Sequence, residues 1–306
     1  MARRRKGKPI DGVLLLDKPS GMSSNRALQK ARGLFGAQKA GHTGTLDPMA
    51  TGLLPVLLGE ATKFASYLLD ADKRYIASLR LGQCTDTGDA EGQVIQERPV
   101  PLLEPASIDA AVAQFTGEIE QVPPMFSALK YQGRPLYELA REGREIKRAP
   151  RSVSVYHSRP FDAGPTGFSL DVTCSKGTYV RTLAMDIGEV LGCGAHLDAL
   201  RRLRTGPFDA SGMVTLEHLE NLGDSERMAC LLPMDVLIEH LPRVMLDADQ
   251  SARFQQGQGV MLQNRTSVVD DDPVRVYDEH RLLGIALVEP TGRLAPKRLV
   301  NTAEST

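Results

Sequence analysis

The hydrophobic pattern along the chain alternates between continuous runs, a period of two and a helical period, and the changes mark out its elements. Gly12-Val13-Leu14-Leu15-Leu16-Asp17 is an apolar run that stops at Lys18-Pro19-Ser20-Gly21, which predicts a buried strand entering a turn. Ser23, Ser24 or Asn25 then caps a helix through about Phe35, since a short polar side chain satisfies free N–H groups of a first turn. Leu53 to Leu58, bounded by Gly52 and Gly59, is a second apolar run, and Glu60 to Leu69 reads as helix. From Tyr75 the period becomes two: Tyr75, Ala77, Leu79 and Leu81 share one face and Ile76, Ser78 and Arg80 the other, as in a strand. Gly88, Asp89 and Gly92 mark a turn into a further strand near Val94, giving a hairpin with a long loop.

Ile108 to Phe115 is a short amphipathic helix. Val122-Pro123-Pro124-Met125-Phe126-Ser127 resists both helix and central strand, because proline lacks the donor and restricts the residue before it. From Pro123 to about Arg151 the chain is basic and proline-interrupted, a surface excursion with one helix, Leu136 to Glu142, ended by Gly143. Phe168, Leu170, Val172 and Cys174 alternate with polar residues as a half-buried strand. Leu183, Ile187, Val190 and Leu191 then recur at helical spacing up to Gly192. Strands mixed irregularly with helices predict an α+β sheet domain rather than regular βαβ winding. Near Pro242 the texture changes: Gly257, Gly259, Asn264, Gly284 and Gly292 punctuate short apolar stretches, which predicts a small β-rich C-terminal domain.

The 306 residues, 42% hydrophobic, suffice for one large core and a smaller second domain. Cys84, Cys174, Cys193 and Cys230 form no CxxC or Cys/His cluster, so they are expected reduced and partly buried, with neither zinc nor disulfides. No apolar run approaches the roughly 20 residues of a membrane span, and no signal-type run follows Met1-Ala2-Arg3-Arg4-Arg5-Lys6, so a cytoplasmic protein is expected. A net charge of −1 makes no case for nucleic acid by itself. Local clusters do more: Arg3 to Lys8; Arg141, Arg144, Lys147, Arg148 and Arg151; and Arg201, Arg202 and Arg204. Each alone is ordinarily a solvated face, but three together shift the balance toward a polyanion, while Asp270-Asp271-Asp272 argues the other way locally.

The densest chemistry is Gly41-His42-Thr43-Gly44-Thr45-Leu46-Asp47-Pro48-Met49-Ala50-Thr51-Gly52. Such a loop holds an accessible carboxylate in fixed geometry and lets a ligand approach the backbone, but an Asp-Pro turn has the same composition. On the residues alone the two readings stand level. The GxxxxGK[ST], GxSxG and HExxH patterns are absent.

This loop, continued by Leu53-Leu54-Pro55-Val56-Leu57-Leu58-Gly59-Glu60-Ala61-Thr62-Lys63, resembles the signature of the TruB family of tRNA pseudouridine synthases. Lys18-Pro19-Ser20-Gly21, Asp72-Lys73-Arg74-Tyr75 and Ser175-Lys176-Gly177-Thr178-Tyr179-Val180-Arg181-Thr182 are similar to three further motifs of that family. The match runs through Leu200-Arg201-Arg202-Leu203-Arg204 and covers most of residues 10 to 240. The resemblance implies conversion of uridine 55 in the T-loop to pseudouridine, with no cofactor and no metal. It makes Asp47 the catalytic carboxylate, Arg181 its ion-pair partner and Tyr75 the ring that stacks on the base. His42, Tyr179 and Leu200 become substrate contacts, and Lys18, Arg141, Arg144, Lys147, Arg148, Arg201 and Arg202 contacts to the RNA backbone.

The implied organisation is a basic tail over 1–9, a mixed, mainly antiparallel-sheet catalytic domain over 10–241 with a thumb-like insertion at about 123–151, and a PUA-like RNA-binding domain over 242–306. The implied partner is the T-arm stem-loop of tRNA, bound by a monomer with no obligatory protein partner and no membrane. Two other readings remain at this stage. One is a tRNA-binding chaperone whose isomerisation is dispensable; the other is a guide-RNA-dependent relative, which ordinarily comes with partner proteins and longer extensions.

Overall fold

The computed structural model describes residues 7–262 and 272–301. Arg3 to Lys6 of the basic start, Asn264 and the Asp270-Asp271 pair lie outside the described residues.

Strand β1 (Gly12–Lys18) is the first apolar run, and the Ser23 hydroxyl caps helix α1 (Ser24–Phe35) by accepting from the Arg26 N–H. Strands β2 (Ala40–His42) and β3 (Thr51–Leu58) flank the glycine-rich loop. The expected helix from Glu60 is divided into a 3₁₀ segment, Gly59–Phe64, and one turn, α2 (Ser66–Leu69). Strand β4 (Lys73–Leu81) buries Tyr75, Ala77, Leu79 and Leu81 on one face, following the alternation.

The strand near Val94 forms but does not pair with β4. Gly82, at φ 85°, turns the chain into β5 (Gln83–Thr85), and β6 (Val94–Glu97) pairs with β5 as a separate two-stranded sheet. Helix α3 (Pro105–Ala113) begins at Pro105 rather than Ile108, because proline in a first turn gives up an N–H that has no helical partner anyway. Strand β7 (Gly117–Gln121) enters the excursion, which holds the hairpin of β8 (Lys130–Tyr131) and β9 (Arg134–Pro135) followed by α4 (Leu136–Arg141). Then β10 (Arg151–Gly164) and β11 (Gly167–Cys174) pair antiparallel. Helix α5 (Val180–Val190) buries Leu183 and Ile187, and β12 (Ala195–Thr205), β13 (Phe208–Asp209) and β14 (Val214–Thr215) follow.

Ten strands join in one sheet, ordered β14-β1-β3-β12-β4-β11-β10-β7, with β2 beside β3 and β13 beside β12. The pairing is antiparallel except at β1 with β14 and at β3 with β12, so the mixed, mainly antiparallel expectation holds. One face carries Leu14, Leu16, Leu54, Val56, Tyr75 and Leu79 into a core with α1, α3 and α5. The other presents Val13, Leu15, Leu53 and Leu57, which pack with Phe64, Leu68, Leu237 and Ile238.

The C-terminal sheet comprises β15 (Arg243–Met245), β16 (Val260–Met261), β17 (Pro273–Tyr277), β18 (Leu282–Val288) and β19 (Arg293–Leu299), in the order β15-β17-β18-β19-β16. It has its own core around Phe254, Val274, Val276 and Leu283. It also contributes Tyr277, Leu282 and Ile285 to the cluster behind β1 and β3. Two polar ties reinforce that contact: the Tyr277 hydroxyl donates to Asp235 at 2.7 Å, and the Lys63 ammonium donates to the Leu299 carbonyl at 2.8 Å. Among the described residues no helix is long and apolar enough to cross a membrane.

The parallel contact of β3 with β12 demands glycine at position 52. Its φ is 96°, and a Cβ there would lie 2.3 Å from the Arg202 carbonyl oxygen and 2.9 Å from its nitrogen. Gly52→Ala should therefore cost about 2 kcal/mol or more, from left-handed strain and backbone collision. A thermal melt of the variant should show Tm lower by about 4 °C or more; an unchanged Tm would contradict the close approach.

Candidate active site

The loop between β2 and β3 is gripped from three sides. Ser24, buried in the first turn of α1, donates to the Leu46 carbonyl at 2.9 Å and accepts from the Leu46 N–H at 2.8 Å. Lys18, at the end of β1, donates to the carbonyls of Pro19, Met22 and Pro48 at 2.8, 2.6 and 3.1 Å, and the Gly21 N–H also reaches Pro48 at 2.9 Å. Arg202 on β12 donates from Nε to the Leu53 carbonyl at 2.7 Å and from Nη2 to the Gly44 carbonyl at 3.0 Å. These bonds clamp the segment on both sides of Asp47, so the carboxylate is presented from a fixed backbone.

Two expected RNA-backbone contacts are corrected by this arrangement. Lys18 is fully buried with its three N–H donors all engaged, and Arg202 is 1% exposed and spent on loop carbonyls. Neither presents a charge to a phosphate. A buried cation needs hydrogen-bond partners, and here main-chain carbonyls supply them. Desolvation lowers the Lys18 ammonium to about 8, opposed by Asp47.

Asp47 sits at a partly open position and its carboxylate meets Arg181 Nε at 3.0 Å. Arg181, in the first turn of α5, is only 5% exposed, so it is no surface helix-start arginine. Its other donors are engaged as well: Nη1 donates to the Thr87 carbonyl at 3.0 Å and pairs with Asp89 at 3.4 Å, and Nη2 donates to the Phe126 carbonyl at 2.7 Å. One planar fork thus joins the Asp47 loop, the β5–β6 turn and the base of the excursion, which a lysine's point charge cannot do. Desolvation holds the Asp47 carboxyl above the ordinary carboxylate range; Arg181 opposes that, Asp89 adds to it and Lys18 opposes it.

Asp89 carried no site expectation beyond marking a turn. It is 3% exposed, and its carboxylate accepts from the Thr87 hydroxyl at 2.6 Å and the Glu91 N–H at 3.1 Å. An Asp among glycines in a turn gives no sign of burial; only the Asp86-Thr87-Gly88-Asp89 spacing, which suits a side chain folding back on its own turn, hints at it.

Tyr75 lies on β4 directly across from Arg202, almost wholly buried on the helical face, and burial raises its phenol above the usual value. Tyr179 precedes α5 and is half-buried, its backbone held in both directions by the Gln121 side chain at 3.0 and 3.3 Å. Burial raises its phenol too, against the nearby Ser127 hydroxyl, Arg151 and Arg181. His42 ends β2, half-buried, with Nδ1 buried and without a hydrogen-bond partner; desolvation and then Arg202 lower its pKa, so it is neutral at pH 7. Leu200 is 8% exposed on β12, and its carbonyl accepts from Thr51 at 3.5 Å.

Of the remaining basic residues, Arg141, Arg144 and Lys147 are exposed on the excursion. Arg148 is largely drawn inward, donating to the Pro123 and Ile146 carbonyls at 3.0 and 2.6 Å, so it ties the two ends of the excursion together. Arg201 is half-exposed and forked onto Asp17 at 3.1 and 2.8 Å. Among the described residues no His, Cys, Asp or Glu cluster is arranged to hold a metal ion.

Three family models match in succession: TruB family pseudouridylate synthase (N terminal domain) over 32–180, tRNA pseudouridylate synthase B C-terminal domain over 181–239, and Pseudouridine synthase II TruB, C-terminal over 242–300. The chain is similar to tRNA pseudouridine synthase B of Chromohalobacter salexigens, 58% identical with 99% of this chain and 98% of the relative covered. The protein of the same name from Aromatoleum aromaticum is 54% identical, covering 98% and 96%. Among solved structures, one chain of a Cbf5-Nop10-Gar1 complex is 26% identical, with a TM-score of 0.68 over 94% of this chain and 84% of that one. A clamped Asp47 loop, a buried Arg181 and these full-length matches agree, and the chain belongs to the TruB family of pseudouridine synthases.

Proposed function

We infer that this chain isomerises uridine 55 in the T-loop of tRNA to pseudouridine, with Asp47 as the catalytic carboxylate. The observation that carries this reading is the Asp47 carboxylate, fixed by its loop against the buried guanidinium of Arg181. Isomerisation breaks the bond from C1′ to N1, turns the uracil and joins C1′ to C5, while C5 gives up its proton and the freed N1 takes one up. No atom is gained and no electron carrier is needed. Asp47 serves as nucleophile toward C1′ or C6, or as proton acceptor in a glycal route, and each of these needs the ionised form.

A T-loop uridine must leave its stack to reach this carboxylate. Tyr75 offers the extruded base a ring to stack on, Tyr179 and Leu200 border it, and His42, neutral, packs against a neighbouring nucleotide. Exposed Arg141, Arg144 and Lys147, with Arg201 at the sheet, meet phosphates and make binding salt-dependent. The reading makes residues 1–9 a basic tail, 10–241 the catalytic domain with its thumb at about 123–151, and 242–306 an RNA-binding PUA-like domain. The chain acts as a monomer without a protein partner, in the cytoplasm. Its support is that relatives named tRNA pseudouridine synthase B align with it end to end.

Incubating the lone purified protein with unmodified tRNA and mapping pseudouridine by carbodiimide-stop sequencing should give one product, at the T-loop uridine; absence of that product sinks the assignment. Asp47→Asn should retain RNA affinity while its single-turnover rate falls at least about 10³-fold. Full turnover by that variant would remove Asp47 from the chemistry.

The pH dependence is directional. Activity needs ionised Asp47, whose pKa is raised, so the acid limb of kcat should lie above the ordinary carboxylate range. Asp89 is one of the charges raising it, so Asp89→Asn should move that limb to lower pH. At the same time a loosened Arg181 should cut kcat by up to about 10²-fold. A pH–rate profile separates the two effects, and a limb that stays put or moves upward contradicts the assigned electrostatics.

A further inference from the structure

Gln121 is a buried polar side chain to which the chemistry above gives no part. It is the last residue of β7, just before the excursion begins at Pro123, and it is 2% exposed. An amide taken out of water needs partners for its oxygen and its nitrogen alike. Gln121 finds both on a single residue: Oε1 accepts from the Tyr179 N–H at 3.0 Å, and Nε2 donates to the Tyr179 carbonyl at 3.3 Å. The side chain thus pairs with Tyr179 as the peptide groups of a neighbouring strand would.

Tyr179 has no other element to hold its direction. Its backbone is extended, at φ −98° and ψ 107°, and it lies between the turn at Lys176-Gly177 and helix α5, whose first turn receives no side-chain cap. Its carbonyl also accepts the first helical bond, from the Leu183 N–H at 3.1 Å. Because peptide groups are planar, fixing the N–H and the carbonyl of one residue fixes the planes on both sides of its Cα, and with them the direction of the Cα–Cβ bond. The ring of Tyr179 therefore points where Gln121 aims it. An apolar side chain of the same length would fill the space as well; it could not hold both groups of Tyr179.

The same short segment meets the site twice more. The Phe126 carbonyl accepts from Arg181 at 2.7 Å, and the Ser127 hydroxyl, buried and with no hydrogen bond formed, lies near the Tyr179 phenol. The start of the excursion thus touches Tyr179 at its backbone and near its phenol, and Arg181 one helical step further on.

We propose that Gln121 is a positioning residue for the isomerisation, its side-chain amide setting the direction of the Tyr179 ring beside the extruded uridine. This rests on the reading of Tyr179 as a residue that borders that base.

Wild type and Gln121→Met, which keeps the length of the side chain and loses both hydrogen bonds, are compared as full chains, unlabelled for kinetics and with 3-fluorotyrosine for ¹⁹F NMR. The Tyr179 line is assigned as the one missing from Tyr179→Phe. In Gln121→Met the single-turnover rate on tRNA at saturating enzyme should fall about 10-fold, with the tRNA dissociation constant within about 2-fold of wild type, since a misplaced ring costs rate rather than RNA contacts. The Tyr179 line should shift or broaden while those of Tyr67 and Tyr277, in the cluster on the other face of the sheet, stay in place. An unchanged rate overturns the inference, and so does a loss confined to binding, or a lost rate with the Tyr179 line unmoved. Should every line move, Gln121→Glu, which keeps the acceptor for the Tyr179 N–H, is measured in the same way; a general change there too means a purely structural role and overturns the inference. An inactive wild type overturns the assigned reaction and this inference with it, whereas an active wild type with an indifferent Gln121 overturns the inference alone.

Discussion

A guanidinium taken out of water must find polar partners to replace those it leaves behind, and Arg181 finds them in three separate parts of the chain. Desolvating such a cation costs several kcal/mol, returned only where partners are aligned in advance. Helix α5 delivers it, and Asp47, Asp89, Thr87 and the carbonyl of Phe126 receive it. None of these groups can move alone without leaving a buried donor unsatisfied, a cost of about 1–3 kcal/mol. The Phe126 contact binds the root of the excursion to the residue that orients the carboxylate. The root of the excursion and an aligned Asp47 are thereby parts of one hydrogen-bonded unit.

The sheet multiplies the uses of a short sequence through strict alternation. Arg201 and Arg202 are neighbours with opposite duties: Arg202 turns inward to hold Gly44 and Leu53, and Arg201 turns outward onto Asp17. The same alternation in β1 and β3 sends Leu14 and Leu54 into the catalytic core and Leu15 and Leu53 toward the C-terminal sheet. The C-terminal sheet thus supports the strand that leads directly out of the Asp47 loop.

The readable parts of the sequence were those whose signal is local. The apolar run of β1, the cap of α1 and the period-two pattern of β4 state their structure within a few residues. Asp47, Tyr75 and Arg181 could be singled out because each sits in a distinctive motif. Their mutual placement could not be read, since it depends on strands far apart in sequence. Strand β12 was hidden because charged residues occupy both its faces, and charge density looks the same whether a guanidinium is solvated or walled in by carbonyls. For that reason Lys18 and Arg202 read as phosphate contacts when they are scaffold. Asp89 was hidden for a related reason: its partner is the interior face of a helix 92 positions later, seen only after the sheet is assembled.

The β3–β12 contact has a consequence for synthesis on the ribosome. The Leu53 carbonyl and the Arg202 side chain that holds it are 149 positions apart, so a chain growing from its N-terminus exposes the Asp47 loop long before the strand that closes it exists. Contacts of such range form late, after the local elements have collapsed. The loop gains its geometry only once β12 has left the exit tunnel and paired between β3 and β4. A partly made chain therefore carries the chemical groups of the enzyme without their arrangement, and competence cannot arrive before β12 (Ala195–Thr205) has been made.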